Sequence, residues 1–396
     1  MYLSFKNPLL NNLCLLFILF LPFSWASTSI GSIYRWIVVL VFALFILKSR
    51  SIGIPRDKKT FFLFWSLFVI HIMLTYIYKT DVANTSVYGG MILLYLVSIV
   101  FVNQDRTMIS IEQINTCFLI AGIFFIILFI FGERTYEGVR ESLKILGTDT
   151  DPNEFSSYFI IFIPICIELF MQKKTIIQKL FLLSLIVASV YVLLMAASRG
   201  AIFALIITLF LFAWYKKLLS PRKLIVIALL FTFVFFVFNK YLVAYIPQSN
   251  LTRMTFDSII SDGGSNREII WNYGLTTFFK SDFVTQLFGY GPYGLARKSG
   301  GLTLHNTFFQ IMIDYGYIGL FYYLAMVIIA FRYSLQINKT YSAIFIGILA
   351  ISFTLSFGPS YKIVWIMMFI FLLGFDEQRE GNEVYENNHN SRYGRR

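Results

Sequence analysis

The chain has 396 residues, of which 58% are apolar, 19% aromatic and only 14% charged. Globular domains carry about 25% charged residues, so a soluble protein is excluded. A spanning segment must satisfy its backbone hydrogen bonds internally, which leaves an all-α polytopic integral membrane protein. The net charge of +12 is not a nucleic-acid footprint, because the basic residues fall in short loops between apolar runs, where they set topology.

Apolar runs long enough to cross a bilayer core of about 30 Å recur along the whole chain. They predict about twelve spans, near 9–26, 33–47, 61–78, 87–102, 114–131, 155–170, 176–197, 200–215, 223–246, 306–331, 340–357 and 359–375. The first, "LCLLFILFLPFSWAS", also resembles a signal peptide, with Lys6 upstream and a small-residue site after Trp25; a retained helix is the preferred reading. His71 stands alone in the third span and reads as a packed, hydrogen-bonded side chain. Cys14, Cys117 and Cys166 all lie in apolar segments, without metal-site spacing or a disulfide framework, and read as structural thiols.

The loops 48–59, 171–179, 216–223 and 332–339 are rich in Lys and Arg, and the loops between them are poor in both. The positive-inside rule then puts both termini and the basic loops in the cytoplasm. Two long polar segments, 132–154 and 247–305, face outward. The expected organisation is spans 1–9 over residues 1–246, a large outer loop with short helices over 247–305, spans 10–12 over 306–375, and a disordered cytoplasmic tail over 376–396, where His389 has no chemical company. There is no repeat of 20–50 residues and no inverted repeat of the transporter kind.

On this topology the polar clusters gather on the outer side. "GTDTDPNEF" (147–155) opens the sixth span. Pro152 and Asn153 suit a helix start, and Asp149, Asp151 and Glu154 read either as caps or as groups that position a hydroxyl or act as a base. "AASRGAI" (196–202) joins two spans by a tight turn, Ser198–Arg199–Gly200. An arginine at that depth meets an anion or snorkels to lipid phosphates. "SDGGSNREIIWNYGL" (261–275) gives turn and cap residues, then Arg267 in a first helical turn and Trp271 four residues on; together they favour an anion, or make a surface contact. "GYGPYG" (289–294), with Gly291 at its centre, reads as a turn, or as a loop whose amides approach a phosphate.

"LTLHNTFFQIMIDYGYIGLFYY" (302–323) places His305 and Asn306 at the mouth of a span. On one continuous helix, Gly316 and Gly319 return close to the His305 face. They would form a smooth strip that clamps the helix to a neighbour. Asn306, Gln310 and Asp314, four apart, make a polar stripe that suggests a water-filled cavity. Nothing matches a nucleotide-binding loop, and no paired acidic residues resemble a metal clamp.

These motifs, in this order, resemble the O-antigen ligase and O-antigen polymerase superfamily of bacterial cell-surface polysaccharide assembly. "HNTFFQIMIDYGYIG" fits the family pattern at every position, and "SRGA", "NREIIW" and "DPN" are family features as well. The resemblance is strongest over about 147–330. It implies an inverting glycosyltransferase of the inner membrane, facing the periplasm, with no metal and no cofactor. The donor is an undecaprenyl-diphosphate-linked saccharide in the lipid bilayer. A chain-length regulator and a flippase are the protein partners it suggests. Arg199, Arg267 and His305 would be catalytic: the arginines meet the developing charge of the leaving diphosphate, and His305 takes the acceptor proton or binds the diphosphate. Asn306, Ser198, Asp151, Asn153, Gly291 and Trp271 would contact substrate, and Gly316 and Gly319 would be structural. The polymerase branch is favoured over the ligase on the "DPN" element and the Phe/Ile-rich composition. A lipid-linked oligosaccharide flippase is the rival, disfavoured because the span interiors are nearly free of charge.

Overall fold

The computed structural model describes residues 13–24, 27–28, 31–48, 52–78, 85–103, 109–137, 140–218, 247–253, 255, 257, 267–301, 303–356 and 362–373. The expected ninth span (223–246) and the polar tail (376–396) lie outside these residues.

Among the described residues, five helices are long and apolar enough to cross a membrane: Arg56–Thr75, Ile111–Phe131, Pro152–Gln172, Ile176–Ala196 and Thr307–Ile337. Four shorter apolar helices, Ile33–Leu47, Val87–Val102, Arg199–Tyr215 and Lys339–Ser352, accompany them. The twelve expected spans are therefore only partly represented. Within the described part of the first, Leu13–Leu19 forms a helix, α1, followed by a 3-10 turn at Leu21–Ser24.

The remaining helices among the described residues, in chain order, are α2 (Ile33–Lys48), α3 (Lys59–Tyr78), α4 (Thr85–Val102), α5 (Ile111–Phe131), α6 (Pro152–Ser157), α7 (Phe159–Gln172), α8 (Ile176–Ala196), α9 (Arg199–Tyr215), α10 (Gln248–Arg253), α11 (Arg267–Phe279), α12 (Phe283–Phe288), α13 (Gly294–Lys298), α14 (Thr307–Ile337), α15 (Lys339–Ser352) and α16 (Lys362–Ile370). α14 packs along α3 and α15, and α15 along α9. Trp65 of α3 lies 4.6 Å, centroid to centroid, from Trp365 of α16 and donates its indole N–H to Ser98 Oγ at 3.0 Å. A buried indole keeps its donor satisfied in this way.

The fold is not all-α. A two-residue pair, β1 (Ser27–Thr28) with β2 (Gly31–Ser32), precedes α2. A three-stranded antiparallel sheet, β3 (Glu133–Glu137), β4 (Arg140–Ile145) and β5 (Thr148–Asp149), fills most of the polar segment 132–154. Leu143 and Ile145 are buried while Lys144 is exposed, which is the alternation of a half-buried strand. Leu146 and Gly147 have φ of +48° and +79° and close the β4–β5 hairpin. Two positive φ values are what a tight hairpin turn requires. The sequence signal was weak because Leu stands where Asn or Asp usually sits. Arg134 and Glu141 brace the sheet with a 2.8 Å ion pair.

Basic loops and their contacts lie at the end of the bundle away from His305. There, Lys216 meets Glu168 at 2.6 Å, and Tyr333 donates its hydroxyl to the Asp57 carbonyl. The motif-bearing ends of α8, α9 and α14 meet the C-terminal end of α15 at the opposite end.

Candidate active site at one end of the helix bundle

The turn between α8 and α9 is two residues long. Ala197 ends α8 in the left-handed region at φ +47°, and the Ser198 hydroxyl caps α9 by accepting from Ala201 N at 3.4 Å. Ser198 also donates to Asn153 Oδ1 at 2.9 Å. Asn153 is held by its own cap, since the Asp151 carboxylate accepts from Asn153 N at 2.7 Å and Glu154 N at 3.0 Å. The "DPN" element and the "SRG" turn thus form one unit, with Asp151 in the capping role.

Arg199 leaves this turn and donates Nε to the Arg253 carbonyl oxygen at 2.8 Å. Asn250, on the same short helix as Arg253, donates to the Met195 carbonyl at 2.9 Å. Arg140 of β4 reaches toward the Ala196 carbonyl at 3.5 Å. Two guanidinium groups, those of Arg199 and Arg140, and the Arg253 backbone carbonyl therefore meet at one turn. Gly200 lies directly against Thr354 at the end of α15.

His305 comes next. Helix α14 begins only at Thr307, with Asn306 as its cap; the Asn306 side chain accepts from Phe308 N at 3.0 Å and Phe309 N at 3.1 Å. His305 precedes the helix and adopts φ +48°, a region that costs a residue with a Cβ about 1–2 kcal/mol. The surroundings over-determine it. Trp271 donates its indole N–H to the Leu304 carbonyl at 2.7 Å. Asn306 N donates to Ser356 Oγ at 3.0 Å, and the Thr307 hydroxyl to the Leu355 carbonyl at 2.7 Å. Thr303 Oγ1 lies 3.2 Å from His305 Nε2. Strain held by many ties on a titratable side chain is characteristic of a working site.

These ties join the motifs. Ser356 and Leu355 hold the start of α14, and their neighbour Thr354 touches Gly200 beside Arg199. Arg267, partly buried, is the first residue of α11, one turn before Trp271. The Gly263–Asn266 turn lies outside the described residues.

Two expectations change. The polar stripe Asn306–Gln310–Asp314 is buried in the protein, and its side chains bond to protein groups. Asp314 accepts from Gln310 Nε2 at 2.8 Å, Tyr293 N at 3.1 Å and Gly294 N at 3.2 Å. Those amides belong to the "GYGPYG" loop, and Gly291 N donates to the Asp314 carbonyl at 2.8 Å. The Gly291 amide, read from the sequence as part of a turn or as a phosphate contact, is spent inside the protein. Burial, then the Asp314 and Glu154 carboxylates, push the Tyr293 hydroxyl above its usual range, so it remains a protonated donor.

Gly316 and Gly319 do not form a strip on a continuous helix. Gly316 has φ +70° and ψ −173°, and α14 kinks there. A Cβ on Gly316 would lie 2.1 Å from the Leu287 carbonyl oxygen, and one on Gly289 (φ +82°) 2.2 Å from the Asp314 carbonyl oxygen. Two backbones cross where each lacks a side chain, and Tyr290 N donates to Ile313 O at 2.9 Å across the crossing. His71 donates Nε2 to the Tyr315 carbonyl at 2.7 Å and lies 3.5 Å from where a Cβ on Gly319 would stand. The packed, hydrogen-bonded His71 is as the sequence suggested. Sequence reasoning missed Arg140, Arg253, Thr354 and Ser356: one Arg or Ser within a polar loop carries no mark of its partner.

Among the described residues, no group of three or more metal-ligating side chains converges. Fold and site together define a multi-pass helical membrane protein with a cation-bearing polar site where several helix ends meet. Residues 184–324, a little over a third of the chain, match the O-antigen ligase (Wzy_C) family, and this match supports the resemblance to the O-antigen ligase and polymerase superfamily. The match contains Ser198, Arg199, Arg267, Trp271, His305, Gly316 and Gly319, and ends before Ser356. No curated protein matches the chain.

Proposed function

We propose that the protein is a polysaccharide polymerase that moves a saccharide from undecaprenyl diphosphate onto a lipid-linked repeat unit, on the non-cytoplasmic side of the inner membrane. The observation that carries this reading is that the Arg199 turn and the strained His305 are both tied to the segment Thr354–Ser356 at one end of apolar helices, Gly200 against Thr354 and Asn306 N to Ser356 Oγ. An acceptor hydroxyl attacks the anomeric carbon from the face opposite the diphosphate. The new C–O bond forms as the bond to the diphosphate oxygen breaks, and that oxygen keeps the electron pair. Arg199 and Arg267 stabilise its charge in a partly dehydrated site, where such stabilisation is strong. His305 takes the hydroxyl proton, its ring steadied by Thr303. Asn153, Ser198 and Asn306 position the sugar. The reaction needs no metal and no nucleotide.

Transfer to lipid A core is the second reading, supported by the ligase designation of the matching family. The test is transfer by purified protein in liposomes, with a defined undecaprenyl-diphosphate repeat unit, beside Arg267→Ala. A ladder of longer lipid-linked glycans, lost in the variant, supports the polymerase. Transfer only when lipid A core is supplied supports the ligase. No transfer, with the lipid crossing the bilayer, overturns both in favour of a flippase.

A further inference from the structure

A cavity of about 270 Å³ lies between the 3-10 turn Leu21–Ser24, β2, the start of α2, the interior of α4, β5 and the start of α16, and no His305-site residue lines it. Its polar lining is Ser24, Ser32, Tyr34, Arg35, Thr148 and Lys362. Apart from Thr148, at the start of the "GTDTDPNEF" segment, none of these appears in the motifs that define the active site, and none falls in the family match. The volume is near the lower end of small-molecule pockets, about 300 Å³, enough for a head group.

The cavity is built, not incidental. Lys362 donates to the Ser24 carbonyl and sits 5.0 Å from the centre of the Tyr34 ring. Tyr34 is 2% exposed and anchored by its hydroxyl to the Phe17 carbonyl at 3.0 Å. Ser32 Oγ is shut off from solvent and has no hydrogen-bond partner among the described residues, an uncompensated donor on the cavity wall. Arg35 and Lys362 repel each other here, and Glu154 is the carboxylate whose field reaches Lys362. Two cations held across one small space favour an anion between them. Leu93, Leu94 and Val97 of α4 form an apolar wall on the same cavity, which suits the chain that such an anion carries into the bilayer.

We propose that this cavity binds the diphosphate head group of a second lipid-linked saccharide, the acceptor, while the Arg199–Arg267–His305 site holds the donor. The assignment of the two substrates rests on the polymerase reading; the anionic lipid site itself does not. The segment from Thr148 to Asn153 joins the two places. Thr148 lines the cavity and Asn153 bonds Ser198 beside Arg199. Five residues span at most about 18 Å, so a saccharide on the acceptor lipid lies within reach of the donor.

The test uses the full chain in neutral phosphatidylcholine nanodiscs, titrated with undecaprenyl diphosphate and read by native mass spectrometry. Two bound copies are expected for the unaltered protein and for Arg35→Lys, which keeps the charge. One copy is expected for the Arg35→Gln, Lys362→Gln double variant. In the transfer assay the double variant should raise the acceptor KM about tenfold, a shift of about 1.4 kcal/mol, with the donor KM unchanged. Arg199→Ala should instead weaken the donor copy and leave this one. The inference is overturned if the double variant still binds two copies, or if phosphatidylglycerol displaces the second copy at equal concentration, which would make the cavity a general anionic-lipid site. Equal potency of inorganic diphosphate would overturn the lipid assignment as well. If the unaltered protein transfers nothing yet loses one bound copy in the double variant, the polymerase reading fails and the site stands.

Discussion

His305 holds φ at +48°, and this strain separates a chemical role from a structural one. Glycine adopts that conformation without the Cβ clash, at an entropic cost of about 0.5–1 kcal/mol, so His305→Gly should leave the apparent melting temperature in detergent nearly unchanged. Transfer should fall by about 10²-fold or more, the usual contribution of a positioned general base. Retained transfer in the folded variant would reduce His305 to a backbone feature. Arg199 offers a second test at this scale. Lysine keeps the charge but loses the forked donor set that reaches the Arg253 carbonyl. A hydrogen bond made by a charged group contributes about 1.5–3 kcal/mol, so Arg199→Lys should lower kcat at least tenfold at normal expression. Equal rates for the two side chains would argue that only the field of a cation matters here.

At the scale of elements, the Gly289–Gly316 crossing decides how the polar loop sits on α14. Gly316 occupies a backbone region that costs other residues about 1–3 kcal/mol, and its Cβ would also meet the Leu287 carbonyl oxygen. Gly316→Ala should therefore lower the apparent melting temperature and the folded yield, and Gly289→Ala should do the same from the other side of the contact. A silent Gly316→Ala would mean that the crossing relaxes at no cost. Asp314→Asn tests the ties above it. The amide cannot replace a carboxylate that accepts from Gln310, Tyr293 and Gly294. Leaving such donors unmet costs about 1–3 kcal/mol, read as an earlier unfolding midpoint in detergent. These contacts show why the sequence was legible only in part. The "HN…G…G" spacing marked the right segment, and the order of the motifs marked the right residues. A helical projection assumed an unbroken helix, however, and read two glycines as a smooth strip clamping it to a neighbouring helix. Spacing along one segment carries no information about the second backbone that crosses it. For the same reason Asp314 looked like the wall of a wet cavity, when two of its partners, the Tyr293 and Gly294 amides, lie about twenty residues earlier in the chain.

For the whole molecule, apolar run lengths made the helical membrane class plain, and boundaries such as 33–48, 176–196 and 199–215 fall within a residue or two of the expected spans. The small sheet at 133–149 escaped because its hairpin turns on Leu146–Gly147 and its strands are short and charged. The positive-inside argument also gives a prediction at this scale. With the native cysteines replaced, Lys298→Cys should react with an impermeant maleimide added to intact spheroplasts, and Lys174→Cys only after permeabilisation. The reverse pattern would invert the proposed sidedness and put the Arg199–His305 junction in the cytoplasm.

The backbone crossing has one more consequence. Tyr290 and Gly291 donate their amides to Ile313 and Asp314 across it, so the loop before α14 is hydrogen-bonded to the helix as one strand is to another. Segments joined in this way open together or not at all. The loop amides should then exchange with solvent deuterium as slowly as the helix interior, and the site would already be assembled before a substrate diffuses in from the side.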